Sequence, residues 1–335
     1  GGDGGRPLDD DGDDPPVSTA PTPAPAPTPG VPGEPNPGQP VAVTGQYRLE
    51  STPATAAAGL AALNAMGQLG YGYVTGVAEY RTTMPVPMGD LYLTDTAHAT
   101  SKLQYSLATP ATTVPALVAQ LNQNGATGAM YKGELAFGTG LGADIRSVFV
   151  KDTTKTTTFT YEVKPTTLPT GKAALKAELD AQGARGFQFL SSGILTPGME
   201  AFNIYVKASA PAATYTYTFV DSTATGPANG AALKQQLNVQ GATGNALLGT
   251  YTVDTLNTFV QIFEKSSLQT TPITYDVVAT DTNDTLAQMT AKANTRAAAG
   301  EFLYGDLMTS DQKFNTVYVK GAVSNRHPLA GPVFP

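Results

Sequence analysis

The chain has 335 residues, including 26 Pro and 35 Gly, and only 14% of its residues are charged. Such a composition is unusual for a globular protein and predicts that part of the chain is not globular. Residues 1–40 carry seven acids against one base, Arg6, so they account for −6 of the net charge of −7. The remainder is nearly neutral, which excludes a strongly basic face for nucleic acid or for an anionic membrane.

Residues 1–45 are acidic and Pro-rich, and we predict a disordered leader or tether there. Residues 15–40 favour polyproline II because Pro fixes φ and removes a backbone donor. Fully extended, they would reach on the order of 80 Å. We interpret them as a spacer; a leader without a role is the alternative. The opening GGDGG, which lacks Met, resembles the segment that follows the lipidated Cys of bacterial lipoproteins, an arbitrary boundary being the alternative.

A Gly-x-x-Gly signal follows and recurs along the rest of the chain: four copies lie 58 residues apart, and a degenerate fifth ends in Gly300, 56 residues after Gly244. The period predicts five tandem repeats. The fifth has Ala297 in place of the first glycine, and we expect it to be an end cap. The predicted repeats are residues 46–98, 99–156, 157–212, 213–270 and 271–325, followed by a tail at 326–335. The glycines assigned to helix stops are Gly67, Gly70, Gly125, Gly128, Gly183, Gly186, Gly241, Gly244 and Gly300.

Each repeat has the same predicted order of elements: a strand, a helix, the glycine signal and two further strands. The opening strands alternate apolar and polar residues, as in FTYEV from Phe159. The helices are short and carry an apolar stripe, as in VPALVAQLNQNG from Val114. The first glycine is expected to have φ > 0 and to end the helix, helped by the preceding Asn or Asp. These elements predict an α+β fold of five β-α-β-β units, each with one helix on one face of a small antiparallel sheet.

The closing strand of every repeat has an aromatic residue two positions before its end. Strand alternation places this ring opposite its aliphatic neighbours, which we expect to face the helix. The ring is therefore predicted to point away from the helix and to be covered by another unit, in paired sheets or in a linear solenoid. Pairing would leave one of five units over, which would indicate another subunit. The candidate interface aromatics are Tyr92, Phe149, Tyr205, Phe263 and Tyr318.

The Tyr-x-Tyr strand, the helix end Leu-Asn-x-x-Gly-x-x-Gly and the closing Lys together resemble a small bacterial family of β-α-β-β domains of unknown function. The resemblance covers all five repeats. That family typically has Trp after the second glycine, whereas these positions are Tyr71, Ala129, Phe187, Asn245 and Glu301. The resemblance implies no activity.

The sequence offers no convergent set of titratable residues, and we predict no catalytic, cofactor-binding or metal-binding residue. His98 follows a closing strand and His327 lies in the tail, and neither has a second His at metal-ligand spacing. The nucleophile-elbow, phosphate-loop and dinucleotide motifs are absent. The chain has no Cys, which excludes disulfides and thiolate sites. We therefore predict a protein that is not an enzyme and has no cofactor.

These observations indicate a structural protein, extracellular or on the outer surface of a bacterium. It would be tethered, touching a membrane only through an N-terminal lipid, or would assemble into a filament or matrix. Its partners would be further copies of itself or another surface protein, and PVAVTGQYRLE at residues 40–50 could add to the edge of a neighbour's sheet. The alternative is a binding module whose aromatic rings form a platform for a polysaccharide or a partner protein.

Overall fold

A computed structural model describes residues 42–81 and 83–323 of the chain. The predictions for residues 1–41, for the tail and for His327 lie outside these residues. Units 1 and 2 comprise β1 (Gly45–Ser51), α1 (Ala56–Gln68), β2 (Gly72–Ala78), β3 (Met88–Asp95), β4 (Leu103–Ala108), α2 (Val114–Ala126), β5 (Ala129–Phe137) and β6 (Asp144–Asp152). Units 3 to 5 comprise β7 (Phe159–Thr166), α3 (Lys172–Ala184), β8 (Gln188–Leu195), β9 (Glu200–Ala208), β10 (Tyr215–Ser222), α4 (Gly230–Gly241), β11 (Ala246–Thr252), β12 (Phe259–Ser266), β13 (Thr274–Ala279), α5 (Leu286–Ala298), β14 (Phe302–Met308) and β15 (Phe314–Lys320).

Each unit is a three-stranded antiparallel sheet in which the last strand lies in the centre. In unit 1 the strand order is β1-β3-β2, and the other four units repeat it. The first and second strands both run antiparallel to the third, so they are parallel to each other and need the helix as a crossover connection. The predicted α+β fold of five repeated units is confirmed.

The helices begin at side-chain caps supplied by the polar residues that precede them. Thr55, Thr113 and Thr285 each accept a hydrogen bond from the amide three residues later, and Asn229 does the same for α4. Such a cap satisfies one of the amides that a helix start leaves without a partner. Helix α3 follows Gly171, which has no side chain to offer, and its cap comes from elsewhere in the chain.

The two glycines at each helix end have different roles. The second has a positive φ, from +79° at Gly300 to +91° at Gly128, a conformation that glycine adopts without steric cost. The first is not among the residues with positive φ, and Gly183 lies inside the last turn of α3. The expectation that the first glycine has φ > 0 is therefore wrong, and a contact with the next unit explains its presence instead.

The helix of every unit packs on the first strand of the following unit, and the helix of the last unit packs on the first strand of the first. Helix α1 packs on β4, α2 on β7, α3 on β10 and α4 on β13, while α5 packs on β1 at the start of the chain. The five units therefore form a closed ring. Neither paired sheets nor a linear solenoid describes this arrangement, no unit is left without a neighbour, and the fifth repeat is not an end cap.

The apolar core lies in the joints between units. In the joint between units 2 and 3, Leu121 and Phe149 pack in one cluster with Phe159, Tyr161 and Val206. Each sheet is thus covered on both faces, by its own helix on one and by the helix of the preceding unit on the other. A unit of about 58 residues buries little surface alone, so much of its stability must come from these joints.

Candidate functional site

The candidate interface aromatics are all buried, with Tyr205 and Phe263 fully so. They face the helix of their own unit, since the Tyr205 hydroxyl donates to Glu178 on α3 over 2.6 Å and the Arg296 guanidinium on α5 lies 4.7 Å from the Tyr318 ring centroid. The prediction that these rings point away from their helix is wrong. Their aliphatic neighbours face the helix of the preceding unit, which strand alternation alone could not reveal. Because the rings are enclosed, they do not form a ligand-facing platform.

The joints are held by one pair of side-chain and backbone groups that recurs around the ring. In the joint between units 2 and 3 the Tyr161 amide donates to Asn122 Oδ1 over 2.8 Å, and Asn122 Nδ2 donates back to the Tyr161 carbonyl over 3.2 Å. The same exchange joins Asn64 to Tyr105, Asn238 to Tyr275 and Asn294 to Tyr47. These Asn residues were predicted to help end their helices, but they bind the next unit.

The remaining joint, between units 3 and 4, uses a different set of groups for the same exchange. Asp180 accepts from the Tyr217 amide over 3.2 Å, but a carboxylate cannot donate to the Tyr217 carbonyl. Lys176 supplies the donor instead, since its Nζ bonds both the Tyr217 carbonyl and Asp180. The substitution of Asp for Asn is thus compensated one helical turn earlier.

The Tyr hydroxyl of each joint satisfies a backbone amide at a β-bulge of the preceding unit. Each second strand shifts register against its central strand, and the amide at that irregularity donates to the hydroxyl of the next unit's Tyr. Burial is the main cause that raises the pKa of all five hydroxyls, so they stay protonated. The donor–acceptor pairs, all at 2.8–2.9 Å, are Tyr73 to Tyr105, Tyr131 to Tyr161, Phe189 to Tyr217, Leu247 to Tyr275 and Leu303 to Tyr47.

The first glycine of each signal lets the helix approach the backbone of the next unit. A Cβ on Gly183 would lie 2.1 Å from the Tyr215 carbonyl oxygen, and Gly67, Gly125 and Gly241 meet equivalent oxygens at 2.2–2.3 Å. In the joint between units 5 and 1, Ala297 takes the glycine position and is fully buried. There Gly45 occupies the strand position that Tyr215 has in unit 4, two residues before the Tyr that recurs in every joint. The closure joint therefore has its glycine on the strand and its methyl group on the helix.

A hairpin joins the second and third strands of each unit. In unit 1 it lies at one end of the sheet, and Gly45, where the folded chain starts, lies at the other. In unit 1, Gly45 pairs with Asp95 at the far end of β3, whereas the hairpin joins Ala78 to Met88. Since the units repeat around a ring, all five hairpins lie on one side, which we term the hairpin side. Each hairpin exposes aliphatic side chains, and Met84 and Leu256 are 80% and 77% exposed. The residues concerned are Met84, Met88, Leu141, Ile145, Ile194, Met199, Leu256 and Met308.

The hairpins of units 4 and 1 also cap the helix of the preceding unit. Asp254 Oδ1 accepts from the Lys172 amide over 2.8 Å, which is the cap that Gly171 does not supply to α3. Glu79 Oε2 accepts from the Leu286 amide at the start of α5. These two bonds attach the hairpins of units 4 and 1 to the helix of the neighbouring unit.

A cavity of about 250 Å³ lies at the closure joint, between α5, the sheet of unit 5 and the hairpin of unit 1. Asp306 is buried in its wall and accepts hydrogen bonds from the Tyr80 hydroxyl over 2.5 Å and from the Thr316 hydroxyl over 2.7 Å. Burial raises the pKa of Asp306, and these hydroxyl donors oppose the rise. The cavity therefore combines an acidic group with apolar walls.

A family model for PT dipeptide repeat lipoproteins matches residues 27–305. The match includes the second half of the Pro-rich segment and the ring as far as the middle of β14, so that only the end of β14 and β15 lie beyond it. The chain belongs to this lipoprotein family. The curated proteins and the solved structures with which the chain was compared gave no match.

Membership agrees with the tandem repeats and with the lipoprotein-like start that the sequence predicted. It associates this lipoprotein with a membrane surface, where lipid attachment holds such proteins. The family is one of repeat lipoproteins rather than a class of enzymes. In the described part of the chain, no helix is long and apolar enough to cross a membrane.

His98, the histidine within the described residues, lies in the packed interior of the lipoprotein. His98 is buried, and its Nδ1 lies 2.7 Å from Asp95 Oδ1, which also caps the short turn that contains the histidine. Among residues 42–81 and 83–323 no three His, Asp or Glu side chains come together as metal ligands.

Sequence reasoning missed both the joint pairs and the closure cavity. The joint Asn and Tyr recur with the period of the repeat, so this regularity was a usable signal. Ala293 was a second signal, because the other four helices have Leu at this position, four residues before the first glycine position.

Proposed function

We propose that this lipoprotein is a non-catalytic binding module, displayed on a cell surface as a closed ring that the Pro-rich leader holds away from the membrane. The proposal rests on one observation: the ring is complete within one chain, and its hairpin side lies opposite Gly45, where the leader joins it. A tether attached at that end leaves the hairpin side free to meet a partner.

Ring closure favours a discrete module over a filament. Strand addition between subunits needs a first strand that is free to pair elsewhere. Here β1 pairs with β3 of its own unit along its whole length and is also covered by α5. The terminal faces that a growing filament would use are therefore occupied within the described part of the chain.

The hairpin side is suited to a protein partner more than to a polysaccharide. Exposed apolar side chains lie on all five hairpins, and apolar patches of this kind mark protein contacts. Aromatic rings, which the polysaccharide hypothesis required, are enclosed in the joints. A partner protein with apolar side chains is the proposed ligand of the ring.

Assembly into a filament or matrix is the second candidate, and the exposed aliphatic residues are the observation that favours it. Hairpin sides of two rings could bury these residues against each other. Light scattering of the purified protein over a wide concentration range separates the two functions. The binding module predicts a constant mass of 34.6 kDa; a mass that rises with concentration, or filaments in electron micrographs, would replace it by assembly.

Surface display can be tested with single cysteine variants, since the chain has no Cys of its own. A membrane-impermeant maleimide added to intact cells should label Leu141→Cys, whose side chain is fully exposed. Leu121→Cys is the matched control, because Leu121 is fully buried and should react only after denaturation. Labelling of Leu141→Cys in lysates but not on intact cells would contradict surface display.

A further inference from the structure

The closure cavity is large enough for a small organic molecule. A cavity of about 150 Å³ in another protein holds benzene, and this one is about 250 Å³. Its apolar wall includes Val77 from the hairpin of unit 1, Val278 and Leu303 from the sheet of unit 5, and Met289 and Ala293 from α5. An aromatic ring with a short chain fits this volume.

A comparison with units 1 to 4 explains why the cavity exists in unit 5. At the position of Ala293 their helices have Leu63, Leu121, Leu179 and Leu237, each nearly or fully buried. Replacing a buried Leu by Ala leaves a void, because the surrounding structure relaxes only in part. The fifth unit carries this replacement without another residue filling the space.

A second difference concerns the residue before Ala293. Glu178 of α3 and Gln236 of α4, at the position of Lys292, bond to their own central strands. Lys292 instead pairs with Asp284 over 2.6 Å and with Asp281, on the loop before α5. The amine of Lys292 therefore pairs with carboxylates at the rim of the cavity, and no bond from this helix position to the central strand β15 is found in the described residues.

Asp306 is the carboxyl group of the cavity that has no ion-pair partner among the described residues. In the described residues Asp306 forms hydrogen bonds with Tyr80 and Thr316 but no ion pair. The lining includes three carboxyl groups, on Asp281, Asp284 and Asp306, against one amine, on Lys292. A ligand cation beside Asp306 would supply the missing charge, and a buried charge is stabilised chiefly by such pairing.

We propose that the closure cavity binds a small organic ammonium compound, with its charged nitrogen at Asp306 and its apolar body against Met289, Ala293 and Leu303. The cavity is formed by units 5 and 1 together, so an occupant also bridges the joint that closes the ring. The site includes Tyr80 from the hairpin of unit 1 but none of the exposed apolar residues named for the hairpin side, and it does not rest on the function proposed above.

The probe for this site is 2-phenylethylammonium, and its counterpart of opposite charge is 3-phenylpropionate. Isothermal titration calorimetry on the full chain should show saturable binding of the ammonium compound and none of the carboxylate. Ala293→Leu, which restores the residue of the other four units, should abolish binding. Ala291→Leu makes the same change on the exposed face of α5 and should bind as the wild type does.

Asp306→Asn tests the charge separately from the space. Removing a hydrogen bond to a charged group should raise the dissociation constant about tenfold or more. Asp306→Asn tests the proposal even if Ala293→Leu does not fold. Circular dichroism would show whether each variant is folded. Absence of binding by the wild type, equal binding of both probes, or unchanged affinity in a folded Ala293→Leu or Asp306→Asn variant would overturn the proposal.

Discussion

Tyr47 and Asn294 are 247 residues apart in the chain and exchange two hydrogen bonds in the fold. The Tyr47 amide donates to Asn294 Oδ1 over 2.6 Å, and Asn294 Nδ2 donates to the Tyr47 carbonyl over 3.1 Å. Asn122 and Tyr161 make the same exchange across 39 residues. The joint that closes the ring is therefore built from the same bonds as the joints that the chain connects directly.

Removing the hydroxyl of a joint Tyr should cost the same at the closure as in the middle of the ring. Tyr47→Phe leaves the Leu303 amide without its partner, and Tyr161→Phe leaves the Tyr131 amide without its partner. A buried donor without a partner costs about 1–3 kcal/mol, so we expect each variant to lose that much free energy of unfolding. Urea denaturation of both variants measures the loss.

Tyr71→Phe is the control for these variants. Tyr71 is half-buried, and within the described part of the chain no hydrogen bond of its hydroxyl is found. Its removal should leave stability unchanged within about 0.5 kcal/mol. A loss at Tyr161→Phe without one at Tyr47→Phe would show that the closure joint is not formed in solution.

A circular permutant should fold if the ring is closed. Residues 153–158 connect units 2 and 3, and residues 209–214 connect units 3 and 4. A linker of similar length should therefore join Lys320 to Gly45, with new termini placed between Asp152 and Phe159. We expect a cooperative thermal transition close to that of the parent chain.

A loss of cooperative unfolding in the permutant would contradict ring closure. If α5 and β1 did not meet, new termini between units 2 and 3 would divide the array at a joint that needs its neighbour. The permutant would then lose cooperativity or unfold in two steps. Calorimetry distinguishes this outcome from a single transition.

Gly183→Ala should destabilise the protein strongly. The added methyl group would lie 2.1 Å from the Tyr215 carbonyl oxygen, and a backbone oxygen cannot move aside as a flexible side chain would. Overpacking typically costs about 1–3 kcal/mol, and we expect the upper end of that range, measured as the free energy of unfolding in urea. Gly142→Ala is the control, since its new methyl group would meet no atom within 4 Å.

Stability should fall as the pH rises from about 4 to 8, because burial raises the pKa of Asp90 from 3.8 to about 7 in the folded chain. Between these two values the folded chain holds a proton that the unfolded chain has released. The unfolded state binds fewer protons, so raising the pH through this window favours unfolding, with the full loss reached above pH 7. Thermal denaturation across this pH range should show a falling transition temperature.

Asp90→Asn should flatten this dependence and should make the protein more stable than the wild type at pH 8. Part of the slope should remain, because burial also raises the pKa of Glu134 and of Asp306. Asp221→Asn is the control, as Asp221 is an exposed partner of Lys172. An Asp90→Asn variant with the slope of the wild type would contradict the role given to this carboxyl group.

Much of the local structure could be predicted from periodicity. The alternation of FTYEV and the apolar stripe of VPALVAQLNQNG correspond to β7 and α2 in the structure. The roles of the glycines could not be separated in the same way. Both a positive φ, as at Gly186, and a close backbone approach, as at Gly183, favour glycine, and a sequence shows only the residue that results.

The direction of the closing-strand aromatics could not be derived from one unit. Alternation shows that Phe149 and Val150 lie on opposite faces of the sheet, and both are fully buried. Which face belongs to the unit's own helix depends on the helix of the preceding unit, which covers the other face. The orientation of the two faces is therefore set by packing between units and cannot be derived from the residue pattern of a single strand.

The sequence by itself determined the number of units, the order of their elements and the positions where each helix stops, because these follow from local periodicity and backbone preference. Only the tertiary structure decided that the units close into a ring and that a cavity remains where they close. Closure depends on the rotation between neighbouring units, which is set by packing at each joint, as by Leu121 and Tyr161 between units 2 and 3 and by Gly183 between units 3 and 4. The rotations at the joints together bring α5 onto β1, and this contact joins residues that are far apart in the sequence.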